Sequence, residues 1–159
     1  MISANHPFDL QGKIALVTGA NTGLGQAIAI ALAAAGADIA VAGTSAPDET
    51  GRQVLAMGRR FVAITANLSS IEPVQRIVDE TVAAMGGLDI LVNNAGTIRR
   101  ADAVDFTEAD WDAVMDVNLK TAFFLSQAAG RRMLAAGQGK IINIASMLSF
   151  QGGIRVPSY

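Results

Sequence analysis

Five short apolar runs, none alternating cleanly between polar and apolar positions, constrain this chain more than any other feature. They are 14–18 (IALVT), 38–43 (DIAVAG), 61–66 (FVAITA), 88–93 (LDILVN) and 140–145 (KIINIA). Each is rich in Ile, Val, Leu and Ala, which is how a strand reads when both its faces are buried. Helical stretches lie between them: 24–35 closed by Gly36, a weaker one at 49–57 before Gly58, 71–85 before Gly86-Gly87, and a long one at 108–136 closed by Gly137. Glycine just past a helix is a stop signal, because it enters the left-handed region without a Cβ clash. The order β-α-β-α-β-α-β-α-β, with right-handed crossovers, predicts an α/β fold: a doubly wound parallel sheet of five strands with helices on both faces.

The chain has 159 residues, which suits one domain spanning 1–159. Hydrophobic residues make up 51%, which excludes a disordered chain. Lys plus Arg number 12 against 14 Asp plus Glu, a net charge of −2, so no basic excess exists to bind nucleic acid. The longest apolar stretch, 27–37, ends at Asp38, short of the ~18 residues a membrane span requires. The start, MISANHPFDLQGK, shows no basic segment followed by an apolar core, so no signal peptide is expected. With no cysteine, disulfides and thiolate chemistry are excluded, and a cytoplasmic location is the default. The single His6 sits in a polar leader and supports neither a histidine triad nor a multi-histidine metal site, so no metal is expected.

Charged residues are only 16%, against about 25% in an average soluble domain, which suggests that another subunit covers part of the surface. The long helix points the same way. At 100° per residue, Trp111, Met115, Asn118, Leu119, Ala122, Leu125 and Ala129 share one stripe, with Val117 and Phe124 on one flank and Phe123 and Leu134 on the other. A helix this broadly apolar is expected to cover the sheet and to form a homo-oligomer contact, dimer or tetramer. Asn118 stands in the middle of the stripe, and a buried amide without partners costs roughly 1–3 kcal/mol, so its presence asks for a functional or architectural reason.

The first run leads through Thr18-Gly19-Ala20-Asn21-Thr22-Gly23-Leu24-Gly25 into the first helix. Strand, glycine turn and helix within one βαβ unit form a dinucleotide site of Rossmann type. The glycines let the backbone turn tightly and let a pyrophosphate approach, and the helix start supplies unpaired N–H groups and a positive dipole end. No Lys-Ser/Thr pair follows the last glycine, so the turn is not a P-loop.

The spacing Gly-x-x-x-Gly-x-Gly resembles the cofactor loop of the short-chain dehydrogenase/reductase family. Asn93-Asn94-Ala95-Gly96, after the fourth run, is similar to that family's second signature. Ser146 and Tyr159, thirteen residues apart, match its Ser…Tyr spacing, and Asn118 falls where the family keeps an Asn in its fourth sheet-covering helix. A narrower likeness, to members that oxidise deoxy sugar acids, runs through 22–26, 58–61, 93–100 and 141–159.

The resemblance implies hydride transfer between nicotinamide and a secondary alcohol of a deoxy sugar acid. Tyr159 would be the acid/base and also touch the cofactor, Ser146 would hold the substrate oxygen, and Asn118 would anchor a water of the proton relay. A free phenol has a pKa of about 10 and accepts a proton poorly near neutrality unless a nearby cation lowers it. Cofactor contacts are expected from Gly19, Asn21, Thr22, Gly23, Leu24, Gly25, Thr44, Asn67, Leu68, Asn94, Ala95 and Gly96. Gly43, Thr44 and Ser45 stand where an acid marks NAD binders. The acid is absent, yet no Arg or Lys at 43–45 or 20–25 meets a 2′-phosphate, so NAD is expected over NADP. Arg99, Arg100 and Arg155 are candidates for a substrate carboxylate, which a bidentate guanidinium suits. Alternatively, Asp102, Asp105 or Glu108 pairs with Arg99 or Arg100 on the surface.

Members of the family run on past the Tyr to a Lys four residues later and to further elements. The chain therefore reads as an N-terminal part, truncated after Tyr159 and expected to be inactive as given. The rivals are a reductase of acyl thioesters or another sugar, and a non-catalytic nucleotide-binding or assembly module.

Overall fold

All five apolar runs become strands, and the reason they do not alternate is visible in the packing. The computed structural model describes residues 8–159, so His6 and most of the polar leader lie outside the described residues. The strands are β1 (Ile14–Thr18), β2 (Asp38–Gly43), β3 (Phe61–Thr65), β4 (Ile90–Asn93) and β5 (Lys140–Asn143). They form one parallel sheet in the order β3-β2-β1-β4-β5, with Leu16 of β1 opposite Ala40 of β2 and Leu91 of β4. The helices are α1 (Gly23–Ala34), α2 (Asp48–Ala56), α3 (Val74–Met85), α4 (Glu108–Met115), α5 (Ala122–Ala135) and the short α6 (Leu148–Gln151).

Successive residues of β1 feed opposite cores. Leu16 joins Ala40, Ala42, Ile64 and Leu91 beneath α3 and α5. Ala15 and Val17 join Ile39, Val41, Ile90 and Val92 beneath α1 and α2. Helix α3 presents Val74, Ile77, Val78, Thr81 and Met85 to its core, the spacing of one helical face. Helix α1 presents Gly25, Ala29 and Ala33, four residues apart, small enough for a close approach to the sheet. On the opposite face, α3 begins at Val74 rather than at the expected 71, because Pro73 disfavours helical backbone at the residue before it; Ile71 is exposed. Gly86 ends α3 at φ +90°.

Two expectations need correction. The stretch 108–136 is helical to Ala135 but not uniform: a π-helical turn, Asp116–Thr121, separates α4 from α5. An extra residue in that turn rotates the faces, so the side chains buried are Val114, Thr121, Leu125, Ala128, Ala129 and Met133. Trp111, Leu119, Phe123 and Leu134, assigned to the apolar stripe or its flanks, are exposed. The second correction concerns β5, which is an edge strand and exposed along its length, with Ile141 and Ile142 39% and 45% accessible. No helix of the described residues is long and apolar enough to cross a membrane.

Candidate functional site

The strand order reverses direction between β1 and β4, and the loops leaving their carboxyl ends meet there. Crevices at such switch points are where open α/β sheets bind ligands. Thr18 holds the two loops together. Its hydroxyl accepts from Asn94 N at 3.0 Å and Ala95 N at 2.9 Å, and donates to the Val92 carbonyl at 3.4 Å. In return, Asn94 Nδ2 donates to the Thr18 carbonyl at 2.9 Å and the Gly19 carbonyl at 3.2 Å. The fit leaves no room for a side chain at Gly19 or Gly25, whereas nothing lies within 4 Å of where a Cβ on Gly23 would stand. A Cβ on Gly19, whose φ is +64°, would lie 3.0 Å from Ala95 Cα, and one on Gly25 would run into Asn94 Nδ2 and the Gly19 carbonyl oxygen.

Around this junction lies a cavity of about 380 Å³, lined by Gly19, Asn21, Thr22, Thr44, Asn67, Leu68, Asn94, Ala95 and Gly96, all named from the sequence. Gly43, Ala66, Ser69 and Val117 complete the lining. Ala66 and Ser69 carry no chemical signal in the sequence, although their place after β3 follows from the topology. Val117 belongs to the π-helical turn. Gly23, Leu24 and Gly25, also named from the sequence, are not part of the lining; Gly25 is buried and Leu24 is 71% exposed.

The residues present fit an anionic dinucleotide. Gly25 keeps the start of α1 free of a Cβ, and Thr22 at its N-cap makes no capping side-chain hydrogen bond to the helix N–H groups. The wall is polar at the Asn67 and Thr44 end. Asn67 Oδ1 accepts from Ser69 N at 3.0 Å, which fixes the loop after β3.

Asn118 has an architectural partner. It lies in the π-helical turn, where Thr97 N donates to its Oδ1 at 2.8 Å and its Nδ2 donates to the Thr97 carbonyl at 2.9 Å. This reciprocal pair fastens the helix to the loop after Gly96. The neighbouring Asn93 is occupied elsewhere: its Nδ2 donates to Asn143 Oδ1 and Ser126 Oγ, each at 2.8 Å, linking β4 to β5 and α5.

Ser146 follows β5 and is half-buried, its Oγ accepting from Leu148 N at 3.2 Å. Tyr159 is 41% exposed, and no hydrogen bond joins its hydroxyl to Ser146 or Asn118 among the described residues. The arginines separate into two groups. Arg99 pairs with Asp110 at 3.6 Å and Arg155, at φ +60°, with Asp102 at 3.0 Å, so Asp110 replaces the acids expected for Arg99. Arg100 makes no ion pair among the described residues and is exposed beside them. The Arg155 carbonyl accepts from Ala101 N at 3.1 Å, which draws the 97–105 and 148–156 loops together.

The family model described as short chain dehydrogenase matches residues 13–159. The chain is 58% identical over 153 residues to the 2-dehydro-3-deoxy-D-gluconate 5-dehydrogenase of Escherichia coli (strain K12), covering 96% of this chain and 60% of that protein. Among solved structures it is similar to one from Agrobacterium tumefaciens, provisionally described as a 2-deoxy-D-gluconate 3-dehydrogenase with bound NADP. That match has TM-score 0.86 and 55% identity, and covers 97% of this chain and 61% of the other. A structure from Beutenbergia cavernae, provisionally described as an NAD(P)-dependent gluconate 5-dehydrogenase with NADP at low occupancy, matches with TM-score 0.89 and 42% identity. It is covered over 62% of its length, and this chain over 97%. The chain thus spans about 60% of the length of the curated relatives it matches.

Proposed function

The chain belongs to the short-chain dehydrogenase family, and from that premise we propose that it carries the dinucleotide site of a sugar-acid dehydrogenase. The reaction interconverts a secondary alcohol and a ketone on a deoxy sugar acid of the 2-dehydro-3-deoxygluconate class, as the names of the most similar relatives suggest. One observation carries the reading: the glycine turn and the Asn94–Gly96 segment converge on one cavity, of mixed polar and apolar lining, at the switch point of the sheet.

The turn at Gly19, Asn21 and Thr22, with the start of α1 behind it, holds the pyrophosphate. Thr44 lies toward the adenosine ribose, Asn67 and Leu68 toward the adenine, and Asn94, Ala95 and Gly96 close the opposite wall. The bound nicotinamide supplies the acceptor or donor of a hydride. Tyr159 moves the proton of the substrate hydroxyl, Ser146 hydrogen-bonds the same oxygen, and Asn118 keeps the Thr97 loop in place beside them. Of the three arginines, Arg100 is the one left to read the substrate carboxylate, since Arg99 and Arg155 already face acids.

The expected preference for NAD does not carry over. The end of β2 holds neither an acid to repel a 2′-phosphate nor a cation to bind it, and two related structures hold NADP. NADP therefore stands at least level with NAD.

Titration of the chain with NADH and NADPH tests the site; the chemistry is tested by reaction with the 5-keto and 5-hydroxy deoxy hexonates in a form extended to the length of the relatives, the form in which turnover of the variants is read. Tyr159→Phe should abolish turnover while leaving dinucleotide affinity nearly intact. Arg100→Met should raise KM about tenfold with little change in kcat, because a charged hydrogen bond to the substrate is lost. Failure of both dinucleotides to bind would overturn the site, and unchanged turnover in Tyr159→Phe would overturn the assignment of the acid/base.

A further inference from the structure

We propose that Thr50, together with Gln26, is a positioning residue that sets the peptide planes of the glycine turn toward a dinucleotide phosphate; this rests on the cavity being the dinucleotide site. Thr50 stands in α2, outside the cavity, and is fully buried. Its hydroxyl donates to the Ala20 carbonyl at 2.7 Å and accepts from Gln26 Nε2 at 3.0 Å. The same amide donates to the Asn21 carbonyl at 3.3 Å. One hydroxyl therefore joins the turn, α1 and α2.

The consequence follows from the trans peptide. In each planar unit the N–H points opposite to the C=O. Holding the Ala20 carbonyl back against α2 aims the Asn21 N–H away from Thr50, and holding the Asn21 carbonyl does the same for the Thr22 N–H. Asn21 and Thr22 line the cavity, and neither N–H has a partner among the described residues. Two backbone donors are left for an anion, and two buried contacts behind the turn hold them in that orientation. Ala20 is itself fully buried, so its carbonyl has no water to turn to if the Thr50 hydroxyl is removed.

The close seat of α2 is also written into the sequence. Gly51, next to Thr50, is buried, and a Cβ there would lie 2.7 Å from Phe61 Cε1 in β3. Since α2 begins at Asp48, four residues after Thr44, the latch couples the Thr44 end of the cavity to the glycine turn.

Thr50→Val keeps the shape and removes the hydroxyl; Thr50→Ser keeps the hydroxyl. Dissociation constants for NADH, NADPH, ADP and adenosine, with amide hydrogen exchange over residues 19–26, read the effect. Thr50→Val should weaken the dinucleotides and ADP by about tenfold. Adenosine, which lacks phosphate, should bind as to the parent, whereas general loosening would weaken all four ligands alike. Thr50→Ser should stay within about twofold, as its hydrogen bonds survive. Exchange at 19–26 should quicken in Thr50→Val only. Gln26→Met removes the amide from a half-buried position, and should weaken the same ligands to a smaller degree. Parent-like dinucleotide binding and exchange in Thr50→Val would overturn the proposal. If the parent binds no dinucleotide, the functional reading fails, and exchange alone decides the latch: quickening sustains it and no change overturns it.

Discussion

Gly25 shows how much the site depends on single atoms. It belongs to α1, yet its Cα faces the Asn94 amide that ties the two switch-point loops together. Gly25→Ala must displace both that amide and the Gly19 carbonyl; the first is a side-chain end held by two hydrogen bonds, and the second is backbone. The expected loss of stability is about 1–3 kcal/mol, the usual cost of overpacking, measured by urea denaturation. A loss below about 0.5 kcal/mol would show that the turn gives way without strain. The glycine itself was legible, because strand, turn and helix demand it. The role of Thr18 in holding the two loops together was not. Thr18 precedes the first glycine and reads as an ordinary strand residue, while three of its polar contacts reach residues 74–77 positions away in the chain. Thr50 is harder still to read, since a threonine in a weak helix signals nothing until its hydroxyl is seen beneath the turn.

At the level of elements, β1, β2 and β4 were readable because burial on both faces leaves a local mark in each, whereas β3 and β5, at the two edges of the sheet, carry the same apolar runs with much of their length exposed. The π-helical turn was not readable, because it goes with a distant pairing: Asn118 meets the Thr97 backbone, and Val117 turns toward the cavity. The amino ends of β2 and β3 show a second long-range pairing. Arg60 N and Nε each donate to Asp38 at 2.8 Å, and Arg60 Nη2 donates to the Met85 carbonyl at 2.9 Å, pinning β2, β3 and the end of α3. Burial alone pushes the Asp38 carboxyl up, but the Arg60 hydrogen bonds and the charges of Arg60 and Arg59 outweigh it. They hold the group below its ordinary 3.8. A carboxyl depressed in the folded state stabilises the protein above its unfolded pKa, and that contribution fades as pH falls through the folded value. The expected result is a urea midpoint that drops on acidification below about pH 4, with a shallower drop in Asp38→Asn. Equal acid limbs in the two proteins would remove Asp38 from the account.

For the molecule as a whole, the sheet order concentrates chemistry at one edge and leaves apolar surface at another. The α4–α5 rod exposes Trp111, Leu119 and Phe123, and Phe123 meets Phe124 edge-to-face with ring centroids 5.3 Å apart. The sequence marked this rod with one apolar stripe widened on both flanks, and the structure assigns part of it to the core and leaves these side chains uncovered. Side chains of this kind gathered on one face favour association, and a two-fold contact would make the face self-complementary. The edge strand β5 offers a competing surface through Ile141, Ile142 and Ile144. The two are separable by one substitution. If copies associate through the helix, the parent sediments as a dimer or larger species, and Phe123→Glu, which sets like charges against each other across the two-fold axis, moves it toward monomer. The substitution should leave the circular dichroism unchanged, because Phe123 lies outside both cores. An assembly that survives Phe123→Glu would move the contact from the helix to another surface such as β5, and a parent that stays monomeric at high concentration would remove the helix as an interface in this chain.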